Sequence, residues 1–524
     1  MTTSQAAGAA VGTGLFLSLA QPTMSVASLA WVGLVPLLLA VRGAGPRKAL
    51  GLGYLAGMSL YLPVLYWIAP TISNYTRVST PLAIGVLVLL CLTVASFVAV
   101  FALTVEWLAD GGIPRVVSAP LVWVALEWSR MYVPAAFPWA LLGYSQYGVL
   151  PVIQSADLFG VWGVSALLVF VNAVIAEVAV DGVPRHRALL AAAAVTVVAT
   201  VVYGWVRIEQ VDGLEPQGRL TVGVTQGNVA QDRKWNEALQ DEILDAYLEL
   251  SRDAARDGAE LVIWPEAALP VIANHDLRTS RLTDFATATD TYMLVGAPAV
   301  ELHHGRPPRQ FNSVFTVVPD HGFAERYDKI QLVPFGEYVP FGWLMSWVGK
   351  AVEGIGTFGR GTRHVVFEGP PVLTPAGERP ARFAALICYE GIFPGLTRRF
   401  VVDGADFLVN VSNDAWYGRT SAPHQHLAMA AVRAVENRVP LVRSTNTGVS
   451  AIVDAVGRIR ERTPLFERAV FVDELVLREH GSLYLVIGDL FVYVCLGVVA
   501  LLVAVRLQGR GVLIRTGNRG IVRR

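Results

Sequence analysis

Three short segments place a reactive side chain where an apolar run ends. The segment LVIWPE puts Glu266 just past a proline, ALICYEG puts Cys388 before a turn, and YDKIQLVP surrounds Lys329 with apolar residues. A strand end followed by a sharp turn is a place where α/β enzymes expose a nucleophile. The ordinary alternatives are a solvated surface carboxylate for Glu266 and a plain buried thiol for Cys388.

A thiol, a carboxylate and an ammonium form a workable catalytic set without histidine. Glu266 can take the thiol proton and later activate a second nucleophile, while Lys329 can stabilise the thiolate and the oxyanion of a tetrahedral intermediate. The sequence retains lysine here although arginine is its usual basic residue. The histidine pairs at 303–304 and 424/426 lack carboxylate or thiol ligands at zinc spacing, so we predict loop or helix-cap histidines and no metal or cofactor.

The composition indicates that these residues belong to a protein that is partly embedded in a membrane. Of 524 residues, 53% are hydrophobic and 16% charged, and the mean hydropathy is +0.48. Soluble globular chains carry about 25% charged residues, so this chain is too apolar to be wholly soluble. Its formal net charge is zero, with 42 basic and 42 acidic residues, which gives a nucleic-acid partner no electrostatic support.

Long uncharged runs predict eight membrane spans, because about 20 apolar residues cross the hydrocarbon layer. The predicted spans are 5–21, 25–41, 50–69, 82–107, 116–133, 158–178, 188–206 and 486–506. Basic residues cluster after the second, fourth, sixth and eighth spans, so the positive-inside rule places both termini in the cytoplasm. The long segment between the last two spans must then lie outside.

Residues 212–480 differ from the spans around them, because charges are frequent and short β-type runs alternate with turns. Interleaved strands and amphipathic helices predict a layered α/β domain in which Cys388 is the single cysteine. The predicted strands are 220–225, 261–264, 293–297, 313–318, 383–387, 407–411 and 450–454. The predicted division of the chain is a seven-span domain 1–210, an exported catalytic domain 211–481, an eighth span 482–508 and a basic cytoplasmic tail 509–524.

The motifs WPE, DKIQLVPFGEYVP and ICYE, in this order, resemble the Glu–Lys–Cys site of the nitrilase superfamily and, within it, the apolipoprotein N-acyltransferase family. The likeness extends to QGN at 226–228, NVSNDAWYG at 410–418, FPW at 137–139 and GYSQ at 143–146, so it covers nearly the whole chain. It implies a polytopic α-helical membrane domain of eight spans with a nitrilase-like αββα sandwich. It also implies residence in the bacterial cytoplasmic (inner) membrane, with the catalytic domain on the periplasmic face.

The resemblance also implies roles for individual residues. Cys388 is the expected nucleophile, Glu266 the general base and Lys329 the electrostatic stabiliser. Supporting residues around this set are expected at Glu337, Tyr389 and Glu390, with Glu390 holding the turn after the nucleophile. Aromatic residues at the substrate cavity or the lipid entrance are expected at Trp235, Phe341, Trp343, Trp347 and Trp416.

The implied reaction consists of two acyl transfers. Cys388 attacks a phospholipid ester at sn-1 and forms a thioester, and the α-amine of an apolipoprotein's diacylglyceryl cysteine then takes the acyl chain as an amide. Two sequential substrates predict ping-pong kinetics, and water must be kept from the thioester. The apolar segment 339–352 is predicted to dip into the outer leaflet, although it could instead pack on the domain's own core. The expected oligomeric state is a monomer.

Two other functions use the same sequence features differently. A membrane-tethered nitrilase-type amidohydrolase would employ the same three residues with water as the second nucleophile. A transporter or sensor would have a damaged catalytic set and polar residues clustered in mid-membrane. Few charges interrupt the predicted spans; Glu127 and Arg130 do so one helical turn apart, and we predict a structural ion pair between them rather than a headgroup contact.

Overall fold

The computed structural model describes residues 1–133, 136–302, 305, 307–338, 358–478 and 481–517, with side chains as far as residue 508. The predicted membrane arm 339–352, with Phe341, Trp343 and Trp347, lies outside the described residues. Residues 518–524 of the predicted basic tail do so as well.

Predominantly apolar helices make up most of the first 212 residues. In a bilayer each backbone N–H and C=O must find a partner within the protein, and an apolar helix meets this requirement by itself. The helices are α1 (Thr3–Ala20), α2 (Val35–Ala40), α3 (Pro46–Leu65), α4 (Ile68–Tyr75), α5 (Thr80–Ala109), α6 (Arg115–Ser129), α7 (Leu150–Ile153), α8 (Ala156–Asp181) and α9 (Val183–Asp212).

Two six-stranded sheets follow, and each has a parallel centre with antiparallel strands outside it. The first has the order β12-β1-β2-β3-β4-β5 and the second the order β11-β10-β9-β8-β7-β6. The strands are β1 (Gly218–Gln226), β2 (Leu261–Ile263), β3 (Tyr292–Glu301), β4 (Arg309–Val318), β5 (Gly322–Asp328), β6 (Phe367–Thr374), β7 (Gly377–Ile387), β8 (Phe407–Ser412), β9 (Leu441–Thr445), β10 (Ala451–Val453), β11 (Ile459–Arg462) and β12 (Ala469–Leu477).

The sheets pack face to face and helices cover their outer faces, which gives the expected αββα sandwich. The helices are α10 (Gln231–Lys234), α11 (Gln240–Arg256), α12 (Ser280–Thr289), α13 (Pro394–Val402) and α14 (Ala422–Asn437). Fully buried side chains such as Leu220, Ile263, Phe383 and Phe407 fill the space between the sheets. α11 and α12 lie on the first sheet, and α13 and α14 lie on the second.

The chain returns to apolar helices in α15 (Leu483–Ile487) and α16 (Leu490–Gly517). Each predicted span contains helix. By length and composition, the described part of the chain has five helices able to cross a membrane, which are Pro46–Leu65, Thr80–Ala109, Ala156–Asp181, Val183–Asp212 and Leu490–Gln508. The helices in the other three predicted spans are shorter or less apolar.

The predicted span 25–41 is not one continuous helix. A 3₁₀-helix over Ala27–Trp31 is followed by α2, because Pro36 at the start of α2 has no N–H to continue an upstream helix. Asn172 of α8 bonds the backbone groups at the break. Its Oδ1 accepts from the Leu34 N–H at 2.8 Å, and its Nδ2 donates to the Ala30 carbonyl at 2.9 Å. A buried polar residue thus replaces the hydrogen bonds that a regular helix would have made.

The sandwich is joined to the membrane helices through α14 and the turn after β7. Met429 and Val432 on α14 belong to the same apolar cluster as the membrane helices. Beyond the end of α14, Arg438 donates from Nε to the buried Asp157 carboxylate of α8 at 3.0 Å. The carboxyl ends of the central strands therefore lie close to the membrane domain.

Candidate active site

Cys388 lies directly after β7, at the start of a 3₁₀-helix over Cys388–Ile392. Its φ angle of +53° is in the left-handed region, which non-glycine residues adopt at a cost of about 1–3 kcal/mol. This conformation is the sharp elbow expected from the sequence. Only 6% of the residue is exposed, so a substrate must reach it through a confined opening.

Polar side chains beneath the elbow hold it in this conformation. Asn410 of β8 donates from Nδ2 to the carbonyls of Leu386 at 2.9 Å and Cys388 at 3.2 Å. His426 Nε2 lies 3.1 Å from the same Cys388 carbonyl, and Arg443 donates to His426 Nδ1 at 3.0 Å. Because arginine only donates, Nδ1 must accept, and the ring proton is on Nε2, facing the Cys388 carbonyl. His426 is a fully buried residue of α14, so its prediction as a loop or helix-cap histidine is wrong.

Glu266 follows β2 on a loop that lies against β3. A side chain at Gly296 would come within 2.2 Å of the Pro265 carbonyl, so only glycine lets this loop pack there. The Glu266 carboxylate accepts hydrogen bonds from Asn312 Nδ2 at 2.7 Å and from the Asn413 N–H at 2.8 Å. Both oxygens are thereby oriented in a site where 7% of the residue is exposed.

Lys329 follows β5 and its ammonium lies between two carboxylates. Nζ donates to Glu337 Oε1 at 2.8 Å and to Glu266 Oε1 at 3.4 Å. Asn312 Nδ2 also bonds both carboxylates, at 2.7 Å for Glu266 and 3.1 Å for Glu337. Glu337 is fixed in turn by the Val333 N–H at 2.8 Å. Asn312 is a site residue that the sequence analysis missed, because nothing around it distinguishes it from other strand residues.

The three groups influence one another's proton affinity. Burial raises the pKa of the Cys388 thiol, Glu266 raises it further and Lys329 opposes them. Burial also raises the pKa of Glu266, but Lys329 and Asn312 outweigh it and the net pKa is lowered. Burial lowers the pKa of Lys329, yet Glu337 and Glu266 outweigh it and the net pKa is raised. At neutral pH the site therefore holds a neutral thiol, a carboxylate and an ammonium.

Glu390 connects the lysine loop to the nucleophile elbow. Its Oε1 accepts from the Ile330 N–H at 2.7 Å, the Gln331 N–H at 3.0 Å and the Tyr327 hydroxyl at 2.7 Å. Its Oε2 accepts from the Ile387 N–H at 2.7 Å. Burial raises the pKa of Glu390 to about 7, against these hydrogen bonds, which lower it. These bonds connect the segment after Lys329 to the residue that precedes Cys388.

Tyr389 joins the elbow to the membrane domain. Its hydroxyl donates to the Ala136 carbonyl at 2.7 Å. Arg130 of the predicted fifth span bonds the carbonyl of Trp139 in the same segment, and Glu127 accepts from the Leu142 N–H at 2.6 Å. Within the described residues Glu127 and Arg130 do not form the predicted salt bridge. Each instead holds a backbone group of the loop that reaches the elbow.

The two described tryptophans of the expected substrate cavity lie at the surface. Trp235 is 49% exposed and lines a groove together with Pro270, Pro298 and Gln310. Trp416 is 40% exposed and meets Tyr75 of α4 edge to face, with ring centroids 5.0 Å apart. Closer to the elbow, His426 contacts the ring of Trp139 at a centroid distance of 5.8 Å.

The chain is similar to known proteins along most of its length. A family model for the apolipoprotein N-acyltransferase N-terminal domain matches residues 13–174, and a carbon-nitrogen hydrolase model matches residues 221–483. An apolipoprotein N-acyltransferase of Geobacter metallireducens is 39% identical over 510 residues, with 96% of this chain and 95% of the relative covered. One from Gloeobacter violaceus is 34% identical, with 92% and 91% covered. A solved amidase from Nesterenkonia sp. is 21% identical with a TM-score of 0.36, covering 50% of this chain and 93% of its own.

Proposed function

The chain belongs to the apolipoprotein N-acyltransferase family, and from this premise we propose how its residues perform lipoprotein N-acylation. Cys388 is the nucleophile, Glu266 the general base and Lys329 the stabiliser of negative charge. The observation that carries this assignment is the placement of the Lys329 ammonium 3.4 Å from Glu266, on a loop that Glu390 ties to the Cys388 elbow. Family membership does not favour the amidohydrolase alternative.

The first transfer loads the enzyme with an acyl chain. As the Cys388 sulfur attacks the ester carbonyl of a phospholipid, Glu266 takes the thiol proton and the developing oxyanion faces Lys329. The carbon–oxygen bond then breaks, Glu266 returns the proton to the departing lysophospholipid oxygen, and a thioester remains on Cys388. A neutral thiol beside an ionised carboxylate is the starting state that this step needs.

The second transfer delivers the chain to the acceptor. The α-amine of the N-terminal diacylglyceryl cysteine attacks the thioester carbonyl while Glu266 accepts one amine proton. The carbon–sulfur bond breaks, the proton passes to the Cys388 sulfur, and an amide is released. Since one acyl-enzyme serves two substrates in turn, ping-pong kinetics follow.

The attachment of the elbow to the membrane domain supports lipid substrates. The Tyr389–Ala136 hydrogen bond and the packing of α14 place Cys388 next to apolar helices, and a nucleophile so placed can meet an ester held in the bilayer. We further propose eight membrane crossings, cytoplasmic termini and a periplasmic catalytic domain, with the segment boundaries 1–210, 211–481, 482–508 and 509–524, in a monomer. The positive-inside pattern supports this orientation.

The aromatic residues expected at the substrate cavity are proposed to line the path by which the substrates reach the site. Trp235 and Trp416 border the catalytic domain's surface near the site, and their exposure suits contact with a lipid or a lipoprotein. Trp343 and Trp347, with Phe341, are proposed to admit the donor from the outer leaflet. Tryptophan is favoured at the membrane–water interface because its ring is apolar and its N–H is polar.

The test is the intact mass of purified full-length protein incubated with a phospholipid of defined acyl chains. We expect an added mass of one acyl group that is absent in Cys388→Ala, retained in a Cys91→Ala/Cys495→Ala control and discharged as an amide by a diacylglyceryl-cysteine peptide. Glu266→Gln and Lys329→Gln should slow its formation. The absence of an adduct, or its loss to water as fast without peptide as with it, would overturn the acyltransfer mechanism in favour of hydrolysis.

A further inference from the structure

Lys234 is a buried ammonium that the mechanism above does not use. It ends the four-residue helix α10, and only 1% of the residue is exposed. Its Nζ donates to the main-chain carbonyl of Glu266 at 3.0 Å. A lysine almost never buries its charge without a compensating partner. Here that partner is the main-chain carbonyl of the proposed general base, which suggests a function for the buried charge.

The surroundings of α10 are built around Glu266. Gln231, one turn before Lys234, accepts a hydrogen bond from Asn413 Nδ2 at 2.7 Å, and the Asn413 N–H binds the Glu266 carboxylate at 2.8 Å. Helix α10 therefore reaches the glutamate by two routes, one to its main chain and one to its side chain. Lys234 is buried although the next residue, Trp235, is half exposed.

We propose that Lys234 is a positioning residue for the general base, which fixes the main chain of Glu266 and supplies a second positive charge to its carboxylate. This inference rests on the proposed role of Glu266. Lys329 provides the first positive charge, at the carboxylate itself, and Lys234 acts from the main-chain carbonyl without contact to substrate. Two cations on a buried carboxylate keep it ionised, so that it is ready to accept the thiol proton at each turnover.

The charges that face Glu266 can be named from each packed element. Lys329 faces it from the segment after β5, Cys388 from the elbow and Lys234 from α10. Tyr417 faces it from the 3₁₀-helix Asp414–Tyr417 after β8. Glu337 is bonded to Lys329 and Asn312 beside it, while Asn312 and the Asn413 N–H are neutral donors. Burial lowers the pKa of Lys234 to about 8, although Glu266 opposes this. Lys234 therefore bears its charge throughout the pH range in which Glu266 titrates.

The experiment measures the rate of acyl-enzyme formation against pH for the full-length protein, Lys234→Met and Lys234→Gln. Methionine removes the charge and the donor, whereas glutamine removes the charge and retains a donor for the Glu266 carbonyl. On the acidic side of the profile the rate falls as Glu266 becomes protonated, and we call this part the acid limb. We expect its midpoint to shift to higher pH by roughly one unit in both variants. The maximal rate should fall about tenfold or more in Lys234→Met and less in Lys234→Gln. Arg233→Gln is the matched control, because Arg233 is an exposed cation on the same helix that pairs with Glu242.

Each outcome decides the proposal. An acid limb that stays in place in both variants, with a rate lowered equally at every pH, would mean that Lys234 has only a packing role. An equal shift in Arg233→Gln would attribute the effect to general surface charge and overturn the proposal as well. If Lys234→Met is not recovered as folded protein, Lys234→Gln decides alone. Failure of the wild type to form any adduct would instead refute the proposed acyltransfer.

Discussion

The replacement Glu390→Gln tests whether the elbow and the lysine loop are held together by a single carboxylate. Glu390 is fully buried and accepts four hydrogen bonds, three on Oε1 and one on Oε2. A glutamine has one oxygen, and its amide nitrogen can only donate. If the oxygen keeps the three donors of the Oε1 side, the NH₂ group faces the Ile387 N–H, donor against donor.

The expected cost follows from this count. One buried donor left without an acceptor costs about 1–3 kcal/mol. That loss is located between Lys329 and Cys388, so it should reduce catalysis as well as stability. If this whole free energy is added to the activation barrier of acylation, acyl-enzyme formation slows by roughly 5- to 150-fold. Tyr327→Phe provides a graded comparison, because it removes one donor and leaves Glu390 three N–H partners.

The assay is the rate of acyl-enzyme formation by intact mass, together with thermal unfolding of the same preparations. We expect the order wild type, then Tyr327→Phe, then Glu390→Gln, from fastest to slowest. Glu325→Gln, an exposed change on β5, should match the wild type. A rate for Glu390→Gln within twofold of wild type, or a larger loss in Tyr327→Phe, would refute the reasoning that Glu390 couples the two segments.

Three further expectations concern other parts of the molecule. Asn312→Asp places a third carboxylate between Glu266 and Glu337, so the acid limb of acyl-enzyme formation should rise by about one pH unit; an unchanged limb in the pH–rate profile would contradict this. His426→Phe removes the donor to the Cys388 carbonyl and should slow acylation up to about tenfold without moving that limb. Asn172→Leu leaves the Leu34 N–H and the Ala30 carbonyl without their side-chain partner and should lower the free energy of unfolding by about 1–3 kcal/mol, measured by thermal unfolding beside wild type.

The stability of the protein should also depend on the ionisation of Glu266. Because its folded pKa lies below the ordinary 4.5, the unfolded state binds more protons between these two values, and stability rises with pH there. This contribution is present above pH 4.5 and is lost as the pH falls through the folded pKa. The difference in melting temperature between wild type and Glu266→Gln should therefore shrink below that pH, and a constant difference would contradict the assignment.

Local sequence patterns predicted the elements that carry the reactive residues. The apolar runs before Glu266 and Cys388, predicted as strands 261–264 and 383–387, lie in β2 and β7. Such predictions succeed because a run of buried residues bounded by turn residues is encoded by neighbours in the chain. The membrane helices are recognisable for the same reason, since crossing a bilayer requires a long uncharged run.

Strands at the edges of the sheets were not predicted, and the reason is physical. β5, β6, β11 and β12 are the outermost strands. The polar or proline-containing sequences of β5, β6 and β11 are tolerated there because one side of each strand is unpaired. β9 was also missed although it is central. It contains Arg443, and a charged residue in a strand indicates an exposed position unless its partners are known. Here the guanidinium is fully buried against Asp414.

By itself, the sequence determined the α/β class of the catalytic domain, the long apolar helices of the rest and the three residues proposed for the chemistry, because each is marked by residue type and spacing within a short window. Only the tertiary structure decided which polar groups serve them. Asn312, Lys234 and His426 reach the site from β4, α10 and α14, which are distant along the chain. Their burial and partners arise from packing between segments, so no pattern near any one of them could reveal it.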